Sequence, residues 1–248
     1  MKHMSTEVKK STIKDTTIDA VSLVITKVIT ENEKYIKKMG LGSSYKVDKK
    51  TIDLFNDTPE TRRSLRKYRV GNNRKGVLDM SYSKQINPFV PSQQQLFKML
   101  NNMLYRTRMQ CELAIAVLVY IDRLIENSGL VLASHNWMTV IWVCVVAAQK
   151  QNDDYTYSLA EYNKLLPGRI GVQPYCRLER TLYSLLDYKL FISPSLYTKY
   201  RKHLSTLYSA NISAKVVLPV KPLAEYIDVD HCRDHIIPEA FGVYIKSK

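Results

Sequence analysis

Residues 113–121 read Leu-Ala-Ile-Ala-Val-Leu-Val-Tyr-Ile, and residues 137–148 read Trp-Met-Thr-Val-Ile-Trp-Val-Cys-Val-Val-Ala-Ala. Both segments are apolar on nearly every side of a helix, whereas a helix at a protein surface carries a single apolar stripe. Both also fall well short of the ~20 residues that a membrane span requires. They therefore predict two helices that are buried inside a helical protein.

Signals for further helices flank this buried pair. Ser92 and Gln95 form a capping-box pattern before an apolar stripe, and Gly129 provides a stop after the first buried helix. Ser158 and Glu161 repeat the capping-box pattern before a short fourth helix. With a fifth helix striped by leucines, these signals predict an all-α fold in which residues 91–190 form five helices.

The rest of the chain divides around this helical region. Residues 1–90 form an N-terminal extension, with an amphipathic helix at about residues 15–31 and then a basic connector. Residues 91–210 hold the five helices and a sixth that starts at Ser193-Pro194. Residues 211–248 lack a sustained period and are predicted to be a C-terminal tail.

Charge and cysteine content limit the class of protein. The 37 Lys and Arg residues against 23 Asp and Glu give a net charge of +14, which attracts an acidic partner without specifying which kind. The four cysteines include no C-x-x-C pair, and we expect free thiols in a reducing, intracellular setting, cytoplasm and/or nucleus. The N-terminus shows no signal-peptide pattern and no glycine after Met1 for N-myristoylation.

Several motifs, in the same order, resemble one protein family. They are residues 111–125, residues 135–137, residues 147–154, residues 178–180 and residues 193–200. These segments resemble the cyclin family, in particular its single-box, cyclin Y-like (Pho80-related) members. The resemblance implies a five-helix cyclin box with an N-terminal helix and a C-terminal helical extension, which binds and activates a cyclin-dependent protein kinase related to Pho85 and the PCTAIRE and PFTAIRE types.

The resemblance also implies a kinase-binding pair, Lys150 at the end of the third box helix and Glu179 in the fifth. In cyclins, residues at these positions hold the C helix of the kinase. The two helices end at the same surface, so we expect Lys150 and Glu179 to lie close together. The spacing alone is also compatible with no binding role, in which Lys150 complements the dipole of its own helix and Glu179 is merely solvated.

A basic segment in the connector is a second candidate site. Its members include Arg62, Arg63, Arg66, Lys67 and Arg69. Such a segment fits a nuclear-import signal, a nucleic-acid contact, a phosphate clamp or simply a solvated loop. Ser64 lies among these charges, and the resemblance to cyclin Y makes it a candidate phosphosite that would recruit an adaptor.

Enzymatic and metal sites are not expected. No Gly-rich phosphate loop and no nucleophile elbow occurs in the sequence. Residues 228–235 contain Asp, Cys and His side chains, with His231 and His235 spaced to share a helical face, but no second ligand pair appears elsewhere and a polar C-terminal segment is the simpler explanation. We therefore predict a non-catalytic protein without a metal or other cofactor.

Two other functions remain open at this point. Proteins resembling transcription factor IIB use the same box fold to bind DNA, and the net charge of +14 is compatible with that role. They usually carry two boxes and a zinc ribbon, for which this chain has neither the length nor the paired cysteines. The third alternative is a box that acts as a scaffold in a larger assembly.

Overall fold

The computed structural model describes residues 2–39, 46–57, 89–154, 156–165 and 172–213, and these ranges contain helices but no strand. The described helices are α1 (Lys2–Met39), α2 (Lys49–Asp53), α3 (Gln93–Arg106), α4 (Leu113–Ser128), α5 (Trp137–Asn152), α6 (Leu159–Leu165), α7 (Val172–Leu185) and α8 (Pro194–Ser213). The predicted all-α fold class is confirmed, with α3–α7 in the positions of the five box helices.

The core is built around α4 and α5, which pack against each other more extensively than any other described pair of helices. Leu118 and Tyr120 of α4 and Trp142 of α5 are almost completely inaccessible to solvent. Because both helices are apolar on all sides, they gain most from being enclosed by others. The prediction of two interior helices is therefore confirmed.

Local signals in the sequence fix where the box helices begin and end. The Ser92 Oγ accepts the Gln95 N–H at 3.3 Å, and the Gln95 Oε1 accepts the Ser92 N–H at 2.9 Å, which completes a capping box on α3. Gly129 ends α4 with a φ of 70°, a left-handed value that glycine adopts without steric cost. Arg108 also takes a left-handed φ of 55° and redirects the chain between α3 and α4.

Helices α1 and α8 close the box from outside. Helix α1 packs on α3, α4 and α8, and α8 packs on α1 and α4. A single carboxylate joins three of these helices: Asp19 of α1 accepts hydrogen bonds from the Gln93 side-chain amide of α3 and from the Tyr208 hydroxyl of α8, each at 2.8 Å. Val21 and Ile25 of α1 are fully buried beneath them.

The N-terminal helix differs from its expected length. It spans Lys2–Met39 instead of about residues 15–31, so it begins 13 residues before the expected start. Residues 2–14 contain neither Gly nor Pro, and several are good helix formers that allow the helix to continue. The expected connector contains one short described helix, α2.

Candidate partner-binding site

Lys150 and Glu179 form an ion pair. The Lys150 Nζ lies 2.5 Å from the Glu179 Oε1, although the two residues are 29 positions apart in the sequence. Lys150 is in the last turn of α5 and Glu179 is near the middle of α7. The expected closeness of these two residues is confirmed.

The two helices place this pair at the edge of the core. Helix α5 is continuously buried from Val140 to Gln149, so Lys150 is where its C-terminal end reaches solvent, with its cationic side chain at the negative end of the helix dipole. In α7 the buried Leu178 and Leu182 face the core on either side of Glu179. The side chains are 26% exposed for Lys150 and 11% for Glu179, so a partner that covers them has little water left to displace.

Tyrosines surround the ion pair. The Tyr183 hydroxyl lies 3.3 Å from the Glu179 Oε1, and the Lys150 Nζ lies over the Tyr162 ring, 6.0 Å from its centroid. Burial raises the pKa of Tyr162 to about 12, and burial with the nearby Glu179 carboxylate raises the pKa of Tyr183. Both phenols therefore stay neutral at physiological pH and act as hydrogen-bond donors.

This arrangement can bind the end of a helix from another protein. An ammonium group carries three N–H donors, so Lys150 can keep its bond to Glu179 and also donate to backbone carbonyls of a partner. Glu179 has two oxygens with several lone pairs and can accept backbone N–H groups in addition. Each charge compensates the other, which offsets part of the desolvation penalty for covering an ion.

A turn after α7 presents two aromatic side chains to solvent. Tyr188 is 73% and Phe191 70% exposed. The side chain of Arg123 donates to the carbonyls of Lys189 at 2.6 Å and Phe191 at 3.2 Å, and the Tyr120 hydroxyl donates to the Leu190 carbonyl at 2.8 Å. The turn is therefore held rigidly by α4.

The backbone of this turn is strained. Asp187 and Tyr188 have φ values of 53° and 55°, and neither is glycine. A non-glycine residue in this left-handed region costs roughly 1–2 kcal/mol. Strained residues of this kind persist where surrounding contacts hold them, and they occur most often at functional surfaces. A fixed turn with exposed aromatics suits protein binding, since little freedom is lost when the partner arrives.

A cavity of about 390 Å³ opens beside the end of α5. Its lining includes Asn152 and Asp153, which follow Lys150 closely, and Glu112 at the start of α4. Leu113 and Tyr197 give it an apolar wall. Acidic side chains disfavour a phosphate here, so the cavity suits a protein side chain better than a nucleic-acid backbone.

Some predicted sites lie outside the described residues. They are the basic segment with Arg62, Arg63, Arg66, Lys67 and Arg69, the candidate phosphosite Ser64, and residues 228–235 with His231 and His235. Within the described ranges, no three His, Cys, Asp or Glu side chains are grouped so as to hold a metal ion. None of the described helices is both long and apolar enough to cross a membrane.

The tyrosines and the aromatic turn were missed by the sequence analysis. Tyr183 follows Glu179 by four positions, so the two share one face of α7, and this spacing could have shown that they interact. Tyr162 is in a different helix from Lys150, and no spacing rule connects them. The exposure of Tyr188 depends on the left-handed turn, and no glycine in the sequence indicates that turn.

Comparison with protein families agrees with this architecture. The family model described as Cyclin matches residues 15–190, a range that includes Lys150, Glu179 and all of α3–α7. The chain belongs to the cyclin family. No solved structure gives a significant match. Cyclins are generally non-catalytic regulators, and the matched region of this cyclin runs from within α1 to the aromatic turn after α7.

Proposed function

We propose that this cyclin is the regulatory subunit of a cyclin-dependent protein kinase and activates it by binding its C helix. The observation that carries the proposal is the Lys150–Glu179 ion pair, which is half-buried, internally neutralised and in contact with the Tyr183 hydroxyl and the Tyr162 ring. The kinase supplies the catalytic residues. The cyclin moves the kinase C helix inward, so that the Lys–Glu pair of the kinase can form and order the ATP phosphates.

The aromatic turn extends this proposed surface. Tyr188 follows the helix that carries Glu179, and the turn is fixed by Tyr120 and Arg123 of α4. Exposed tyrosine on a rigid support is typical of residues that contribute most to protein binding. Lys150 and Glu179 would then bind the polar end of a partner helix, and Tyr188 would pack on its apolar side.

The kinase type follows from the resemblance to cyclin Y-like proteins. We propose a kinase of the Pho85, PCTAIRE or PFTAIRE types, in the cytoplasm and/or nucleus. Cys111, Cys144 and Cys176 are free thiols, which is compatible with a reducing compartment. A phospho-dependent adaptor that recognises Ser64 is a further partner in this proposal, by analogy with cyclin Y.

The test uses purified PCTAIRE-type and PFTAIRE-type kinases with the full-length cyclin. Binding and phosphorylation of a peptide substrate are measured with wild-type cyclin, Lys150→Ala and Glu179→Ala. Each substitution strands the opposite charge, so binding should weaken by on the order of 2–5 kcal/mol. Lys34→Ala is the matched control, because Lys34 forms an exposed ion pair with Glu31 in α1. Unchanged binding by both variants would refute the proposed site.

Nucleic-acid binding is the second candidate function, and the observation that favours it is the net charge of +14. In that case the loss of Arg62, Arg63 and Arg66 would matter far more than the loss of Lys150. Binding would also weaken steeply as salt increases, because phosphate contacts release counterions. A scaffold without kinase activation would bind its assembly normally with either alanine variant.

A further inference from the structure

A buried chain of hydrogen bonds runs from the end of α3 to the residue next to Lys150. The Gln149 Nε2 donates to the Thr107 carbonyl at 2.9 Å, and the Gln149 Oε1 accepts the Tyr162 hydroxyl at 2.8 Å. Gln149 and Tyr162 are both buried. The amide therefore has a fixed orientation and helps to fix the position of the Tyr162 hydroxyl, which also has a hydrogen bond to the Tyr157 backbone.

The same tyrosine lies beside the ion pair. Its ring is under the Lys150 Nζ, at the outer limit of a cation–π contact, and Tyr157 forms a T-shaped contact with the same ring, with ring centroids 5.8 Å apart. Glu179 draws the ammonium group towards α7, and the Tyr162 ring bounds its position from α6. Lys150 is thus held between two helices.

We propose that Tyr162 is a positioning residue that holds Lys150 in its binding geometry before any partner arrives. The inference rests on the proposed function, because it assigns a use to the geometry of the Lys150–Glu179 pair. The hydrogen bond from the Tyr162 hydroxyl to Gln149 fixes the orientation of the ring, and the ring limits where the ammonium group of Lys150 can lie. Since burial raises the pKa of Tyr162 to about 12, the hydroxyl remains a donor at physiological pH.

The benefit of such positioning is entropic. Lysine has four rotatable side-chain bonds, and a free lysine loses much of this freedom when it is fixed at an interface. A side chain that is already ordered loses less upon binding, so the affinity is higher for the same contacts. Tyr162 therefore affects the affinity for the partner without contacting it.

The first test needs no partner. The CεH₂ signal of Lys150 is observed by NMR in the full chain labelled with ¹³C-lysine, and it is assigned with Lys150→Arg. Tyr162→Phe keeps the ring but removes the bond to Gln149, and it should move this signal towards the position of exposed lysines. Tyr200→Phe is the matched control, because it also removes a hydroxyl bond from a buried tyrosine, the bond to Asp122. If Lys150 responds equally to both variants, or to neither, Tyr162 has no positioning role.

The second test measures affinity for a purified PCTAIRE-type kinase in a double-mutant cycle. Tyr162→Phe should weaken binding about fivefold in the wild type and have almost no effect in a Lys150→Ala background. An equal loss in both backgrounds would refute positioning through Lys150. The two proposals fail separately: if the wild type does not bind the kinase, the proposed function fails, while the NMR result still decides the role of Tyr162.

Discussion

The Tyr200 hydroxyl of α8 donates a 2.6 Å hydrogen bond to the Asp122 Oδ2, a carboxyl group of α4 that is buried in the core. The other carboxyl oxygen, Oδ1, is buried without a hydrogen-bond partner. Burial raises the pKa of Asp122 well above its usual value, and Glu126 raises it further, while Tyr200 and Arg123 act in the opposite direction. The link between the box and the following helix therefore depends on an ionisable group.

The raised pKa of Asp122 predicts how the stability of the cyclin depends on pH. The native state holds this proton more tightly than the unfolded state, so the stability from this group is complete below the ordinary aspartate pKa. It is lost progressively as the pH rises from about 4 towards the raised native pKa. Urea unfolding of wild type and Asp122→Asn across this range should show the wild type losing stability relative to the variant. A constant difference would mean that Asp122 does not titrate as inferred.

Removing the donor to Asp122 should weaken the docking of α8. Tyr200→Phe leaves a buried carboxyl without this bond, and the unfolding free energy should fall by about 1–3 kcal/mol in urea titrations at pH 7. Thr206→Val is the control, because Thr206 bonds only to the carbonyl of Lys202 on the exposed side of the same helix. Equal losses in the two variants would show that the Tyr200–Asp122 bond contributes nothing specific.

The Lys150–Glu179 pair should show coupled effects on stability in the free cyclin. Each single alanine substitution leaves a poorly exposed charge without its partner, and we expect a loss of about 1 kcal/mol by thermal or urea unfolding. The double substitution should cost no more than the larger single one, since no charge is left stranded. Additive losses would contradict direct interaction between the two side chains.

Tyr188→Gly should change stability and binding in opposite directions. Glycine adopts the φ of 55° freely, so the substitution relieves the backbone strain. The unfolded chain gains freedom with glycine, which cancels part of this benefit. The net effect should be a rise of about 0.5–1 kcal/mol in the unfolding free energy. Loss of the exposed ring should weaken binding to a PCTAIRE-type kinase about tenfold. Ser184→Gly, at an exposed position in α7, should instead lower stability and leave binding unchanged. Full binding by Tyr188→Gly would exclude the turn from the interface.

Most of the helical architecture could be predicted because it depends on local pattern. The interior position of α4 and α5 follows from apolar residues on all sides, and the start of α3 follows from Ser92 and Gln95, which lie three positions apart. The full length of α1 could not be predicted, because its first part lacks the apolar periodicity from which the helix was inferred. Good helix formers among those residues favour the continuation of the helix.

The polar contacts of the site were only partly predictable. The pairing of Lys150 with Glu179 followed from the resemblance to cyclins. The Gln149–Tyr162 and Asp122–Tyr200 bonds join residues 13 and 78 positions apart, and each depends on how two helices are rotated against each other. In the sequence, Gln149 stands at the polar end of a helix and Asp122 follows an apolar run, and neither position indicates its hydrogen-bond partner.

The Asp19 carboxylate, shared by α1, α3 and α8, bears on how the chain folds during its synthesis. Asp19 is translated before Tyr208, 189 positions away, so at 5–20 residues per second it is made roughly 10–40 s before this donor. During that interval the face of α1 that later meets α8 stays uncovered on the ribosome. A nascent chain that stalls before α8 is complete would keep this face of α1 uncovered for longer.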